Sequence, residues 1–159
     1  MKGWMKTILK WTIISLGVLF LGAQLFRPER TNPESNPKNS VLSDTTIPPS
    51  ILSAFKRSCF DCHSNETQWP WYSAVTPVNY LVAKDVVSGR RHLNFSEWGN
   101  YKPGRKLSMF DEIYDQVSHN EMPLPRYLPL HPHAKLTDQE KKAIMDWSEA
   151  AQEDHSDQN

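Results

Sequence analysis

The stretch KRSCFDCHSNETQWPWY, Lys56 to Tyr72, decides how the chain is read. It holds both cysteines of the 159-residue sequence, Cys59 and Cys62, and His63 follows the second directly. A disulfide across two intervening residues closes too small a loop to stabilise much. A zinc site needs four ligands, and His92, His119, His131 and His133 supply no second short-spaced pair except His131-Pro132-His133. A redox dithiol belongs where a strand meets the start of a helix, whereas these cysteines fall at the end of a predicted one. Covalent haem attachment has the demands that the spacing meets. Two thiols reach the two vinyl groups of a porphyrin, and an imidazole directly after the second binds iron from the same side. The expectation is one haem c, with Cys59 and Cys62 as thioethers and His63 as proximal ligand. The other ring nitrogen of His63 then needs a backbone carbonyl, for which Pro70 and Pro77 are candidates.

Upstream of the cysteines, Pro48-Pro49-Ser50 and ILSAFKRSCF predict a helix capped by Ser50, with Ile51, Leu52, Phe55 and Cys59 at helical spacing. Downstream, a second helix is expected over 78–88, ended by Gly89. HLNFSEWGNYKPG reads as a loop or a short helical turn, because Gly99, Pro103 and Gly104 punctuate it. Leu107, Phe110, Ile113, Tyr114 and Val117 share one face of a third helix over 105–120. Prolines at 123, 125, 129 and 132 then favour a stiff, extended run. Thr137 and Glu140 form a capping box for a last helix whose buried face carries Ile144 and Trp147. With no strand-like alternation of useful length, the domain, expected over 50–153, is all-α.

At the N-terminus, Lys2, Lys6 and Lys10 precede an uncharged run from Trp11 to Phe26, which reaches back to Ile8 if Lys10 snorkels toward headgroups. Residues 1–27 therefore read as a membrane anchor, lysines on the cytoplasmic side, or as a cleaved signal sequence that would leave a periplasmic protein. Residues 28–49, poor in large apolar side chains and rich in proline, read as a disordered tether, and 154–159 as a polar tail. Lys and Arg total 18 against 18 Asp and Glu; without the three leading lysines the balance is 15 to 18, a net of −3. Nothing in that balance points to nucleic acid.

A sixth iron ligand is expected from a stiff loop late in the chain. Met122, directly before Pro123, fits best. His119 and His131 are the alternatives, and an open position is a further one. A thioether raises the reduction potential relative to a second histidine. Met109 and Met145, inside helices, read as core residues. Trp69, Trp71, Tyr72 and Trp98 are expected to wall a haem pocket. Arg90 and Arg91 read as exposed, with pairing to the haem propionates as the other possibility.

With CFDCHSNETQWPWY, Gly89-Arg90 followed by NFSEW, NEMPLPRYLPLHPHAKLT and the final helix in place, the chain resembles the haem-binding domain family of bacterial exported proteins, itself similar to single-haem cytochromes c. The likeness covers about 51–147. It implies a cytochrome c-like helical fold whose first and last helices pack together, with Cys59 and Cys62 as attachment points, His63 as proximal ligand and Met122 as distal ligand. The expected function is membrane-tethered, mono-haem electron transfer with an unidentified redox protein partner, not enzymatic catalysis. Two other readings are a small peroxidase or gas sensor with an open sixth position, served by His119 or Glu121, and an accessory binding domain with structural haem.

Overall fold

The computed structural model describes Lys2 to Ser156, and every regular element among those residues is helical. Helix α1 is Lys2–Ala23, α2 Pro49–Ser58, α3 Phe60–His63, α4 Val78–His92, α5 Pro103–Ser118 and α6 Asp138–Ser156. Short 3₁₀ turns fill the connections. The chain is therefore all-α, a small helical domain behind an apolar N-terminal helix. Within α1, Gly3–Ala23 is long and apolar enough to cross a membrane.

Local chemistry sets most of these boundaries. Helices α2 and α5 both open on a proline, whose missing N–H and fixed φ suit a first turn. Ser50 therefore sits inside the first turn of α2 and is not its cap, contrary to the sequence expectation. Past the end of α5, Asn120 takes φ 57°, the left-handed conformation that asparagine tolerates. The capping box of α6 is formed: Glu140 Oε2 accepts from the Thr137 amide at 2.8 Å, and the Glu140 amide donates to Thr137 Oγ1 at 3.2 Å. Helix α6 continues through the expected polar tail as far as Ser156; residues 157–159 lie outside the described residues.

The core is a stack of rings. Phe55 and Phe60 each stack on Phe95, with centroids 4.8 and 5.5 Å apart. Trp147 of α6 meets the edge of Phe55 at 5.5 Å and joins the first and last helices of the domain. Trp98 and Phe110 extend the cluster, and Met109 is buried in it.

The 28–49 stretch departs from the expected tether. It carries 3₁₀ turns at Pro37–Asn39 and Val41–Ser43, capped by the side chains of Asn36 and Ser40. Val41 and Ile47 are part of the core, and Trp98 Nε1 donates to Asp44 Oδ2 at 2.9 Å. Composition counted too few apolar residues for folding. What decided the outcome was placement: two apolar side chains at contact positions, with local Asn, Ser and Asp bonds holding the backbone between them.

Arg57 and Glu140 tie α2 to α6 at 2.9 Å. The Arg57 hydrogen bond, followed by that of the Thr137 amide, lowers the Glu140 carboxyl from its usual 4.5 to about 2. A lowered carboxylate stabilises the fold fully above its unfolded pKa, and that stability is lost as pH falls from about 4.5 toward 2. With both side chains about a third exposed, solvent screening leaves roughly 1 kcal/mol. Glu140→Gln is accordingly expected to cost about 1 kcal/mol at neutral pH and to flatten the acid limb. Denaturation midpoints of the detergent-solubilised chain at pH 7 and pH 3 check this; parallel acid limbs in wild type and variant would refute it.

Candidate functional site

Cys59 closes α2, its amide donating to the Phe55 carbonyl at 2.8 Å. The chain turns at once into α3, where the amides of Cys62 and His63 both donate to the Cys59 carbonyl, at 3.2 and 2.9 Å. This single turn puts positions 59, 62 and 63 on one side, as i, i+3 and i+4 spacing requires. Both cysteines are free thiols. Burial pushes each of them up to about 12, helped at Cys59 by Cys62 and at Cys62 by the Asp85 and Asp61 carboxylates. No cluster of His, Cys, Asp and Glu suited to a metal ion occurs among the described residues.

The His63 imidazole is held by Leu93, whose carbonyl lies 3.1 Å from Nδ1, so neither Pro70 nor Pro77 supplies that bond. With its proton on Nδ1, the ring leaves Nε2 as the bare nitrogen. Burial lowers its pKa, which favours the neutral, ligating form. The ring stands edge-on to Phe95, 6.4 Å between centroids, and so rests on the core stack.

Helix α4 presses on this turn. It runs past Gly89 to His92, so Gly89 is no terminator. A Cβ at Gly89 would lie 2.5 Å from the Cys62 carbonyl oxygen, and only glycine permits that approach. The next residue, Arg90, is neither free nor reserved for propionates. Its guanidinium donates to the Ser64 carbonyl (2.7 Å), the Thr31 carbonyl (2.9 Å), Asn32 Oδ1 (2.8 Å) and Thr67 Oγ1 (2.8 Å). It therefore fastens the residues after α1 to the loop after His63.

Polar pairs complete the frame. The Asn65 amide donates to Ser96 Oγ at 3.0 Å, and Asn65 Oδ1 accepts from Asn94 Nδ2 at 2.8 Å. The Ser-Asn after His63 is thus joined to the Asn-Phe-Ser ahead of Trp98. Asp61, between the cysteines, accepts from the Tyr127 hydroxyl at 2.6 Å. Tyr127 stacks on His131 at 3.8 Å, and its carbonyl meets His131 Nδ1 at 3.1 Å. Arg126 pairs with Asp85 of α4 at 2.6 Å.

Met122 lies outside the attachment turn, in the bend after α5, half-buried, its amide donating to the Gln116 carbonyl at 3.1 Å. Its loop runs from α5 to the Tyr127–Asp61 bond. His119 is exposed and turned back on its own helix, where the Asp115 carbonyl at 2.9 Å, and after it the Asp115 carboxylate at 3.1 Å, raises its pKa. The aromatic wall divides. Trp98 is in the core, Trp69 Nε1 donates to Asn32 Oδ1 at 3.2 Å, and Trp71 is 79% exposed.

A family model described as a haem-binding domain matches residues 18–150. The chain belongs to that family. No curated protein and no solved structure matches it. The match begins inside α1 and takes in the packed 28–49 stretch, in keeping with its place in the core. The Cys59-x-x-Cys62-His63 turn corresponds to the covalent attachment site of one haem c. The residues present fit that group: two free thiols and a neutral imidazole share one side of a turn, and a backbone carbonyl sets the imidazole's tautomer. This haem-binding domain is of the electron-carrier kind, not an enzyme, and it stands behind a helix able to serve as a membrane anchor.

Sequence reasoning found the thiols and His63. It missed Leu93, the Gly89 contact, the Arg90 clamp and the Asp61–Tyr127 bond. The quoted motifs contained Gly89, Arg90, Asn94, Ser96 and Tyr127, yet a motif shows that residues recur together and not what each touches.

Proposed function

We propose that this haem-binding domain carries single electrons at the outer face of the membrane in which α1 is anchored, with its N-terminal lysines in the cytoplasm and the domain outside. In that reading Cys59 and Cys62 would hold the haem as thioethers, and His63 Nε2 and Met122 would supply the ligands to its iron. The bound group supplies a one-electron ferric–ferrous couple. The protein's part is to hold the imidazole neutral and in a fixed plane, through Leu93 and Phe95, and to keep the attachment turn rigid against α4. Rigidity matters because an electron carrier should change geometry little between oxidation states. The observation that carries the reading is the His63 Nδ1–Leu93 carbonyl contact on the same turn as two free thiols.

Met122 is supported as distal ligand by its loop, one end of which is secured to Asp61 through Tyr127. The enzyme alternative loses support at His119, which is occupied by Asp115. The test is the reduced spectrum in alkaline pyridine of protein matured in an export-competent host, after acid-acetone extraction. Haem that stays on the chain, with the band of saturated vinyl groups, is the expected result. Haem passing wholly into the solvent would sink the covalent reading.

A further inference from the structure

Helix α1 does not end free of the domain. After Ala23 the chain makes one more tight turn, with the Gln24, Leu25 and Phe26 amides donating to the carbonyls of Leu21, Gly22 and Ala23, each at 3.1 Å. Gln24 then pairs with the backbone of Thr76 in both directions: the Thr76 amide donates to Oε1 at 2.9 Å, and Nε2 donates to the Thr76 carbonyl at 3.2 Å. Thr76 Oγ1 adds a bond to the Phe26 carbonyl at 3.2 Å, and Arg30 donates to Ser73 Oγ at 3.0 Å. The segment 73–76 is thus fastened to the exit of the apolar helix.

Depth follows from length. From Ile8, past which Lys10 can still reach headgroups, to Phe26 is 19 residues. Of these, Ile8 to Ala23 are α-helical and rise about 24 Å, and the tight turn through Phe26 adds a few more, close to the ~30 Å hydrocarbon thickness of a bilayer. The outer boundary therefore falls at Phe26, and with it Thr76. Large apolar side chains stand exposed around this junction: Leu25 is 84% exposed, Phe26 70%, Trp71 79% and Val78 40%. Trp71 belongs to the 3₁₀ turn Trp71–Ala74 just before the junction, and Val78 opens α4 just after it. Tryptophan is the side chain enriched at the headgroup level, having an apolar body and one polar N–H. Exposed Arg27 adds a cation beside Phe26 at phosphate depth.

We propose that Leu25, Phe26, Trp71 and Val78 form a lipid-facing surface, by which the haem-binding domain rests on the outer leaflet of the bilayer that α1 crosses. The proposal rests on the anchor reading above, and continuity with the spanning helix is what identifies lipid as the occupant. The domain is then held in one orientation to the membrane.

The test is photo-crosslinking of the full-length holoprotein in nanodiscs of phosphatidylethanolamine and phosphatidylglycerol. p-Benzoylphenylalanine replaces, one at a time, Trp71, Val78, Tyr114 or Leu16, and lipid adducts are read by mass spectrometry. Tyr114, exposed on α5, is an apolar control away from the junction, and Leu16 lies in α1. Lipid adducts are expected at 16, 71 and 78, and none above background at 114. Adducts at 16 without any at 71 and 78, or equal adducts at 71 and 114, overturn the docked surface and leave the anchor standing. No adduct at 16 removes the anchor itself and the proposal with it.

Discussion

Gly89→Ala is expected to destabilise the domain by about 2–3 kcal/mol and to reduce the share of protein carrying haem. Two effects oppose each other. Alanine in a helix interior is worth about 1 kcal/mol over glycine. Against it, the new Cβ would sit 2.5 Å from the Cys62 carbonyl oxygen and 3.0 Å from the carbonyl carbon. Those are backbone atoms of a tight turn and cannot swing aside as a long side chain can, so overpacking costs about 1–3 kcal/mol. Relief requires α4 to back away from α3, which stretches the His63–Leu93 and Arg90–Ser64 bonds. Each such bond contributes about 0.5–1.5 kcal/mol. The clash and the weakened bonds together exceed the propensity gain. Denaturation of detergent-solubilised Gly89→Ala protein, with haem content measured on the same samples, is the check. Val87→Ala, exposed on the same helix, controls for helix propensity and should change little. A stabilised Gly89→Ala protein would mean that the contact is not close in solution.

The second large effect concerns the potential. Under the proposed ligation, Met122→Ala removes a thioether from iron, and the reduction potential should fall by a sizeable part of the ~0.8 V over which axial ligands act. The ferrous form should gain carbon monoxide binding that the parent lacks, and the sulfur-to-iron charge-transfer band should vanish. Met122→His should keep six-coordinate iron at a lowered potential. His131→Ala, which removes the ring stacked on Tyr127, should leave the band in place. Should Met122→Ala keep the parent spectrum and potential while His131→Ala loses them, the distal ligand is His131.

How far the sequence carried the reading depended on how local the physics was. The attachment turn and the α6 capping box are encoded within a few residues of themselves and are formed as expected. Of the periodic face of α5, Phe110, Ile113 and Val117 are buried, whereas Tyr114 is exposed and Leu107 only half-buried. Gly89 was misread because a glycine near a helix end resembles a terminator; the Cys62 carbonyl that requires it lies 27 positions away in the chain. Arg90 shows the same limit, since its partners come from residues 31, 32, 64 and 67. The carbonyl for His63 was sought among nearby prolines and comes instead from Leu93, after a full helix. The 28–49 stretch failed for a different reason. An average over composition cannot see that Val41, Asp44 and Ile47 stand where the ring stack leaves room.

The Arg90 clamp bears on how electrons would reach this haem. A domain on a loose leash samples a hemisphere around its anchor and can visit donor and acceptor in turn. Four bonds from one guanidinium, together with a core that includes Val41 and Ile47, remove the slack from that leash. The carrier then stays put and its partners must travel. Under the proposed function, the rate of electron delivery is then set by how often a partner arrives at the anchored domain in a productive orientation, and not by how far the domain can swing.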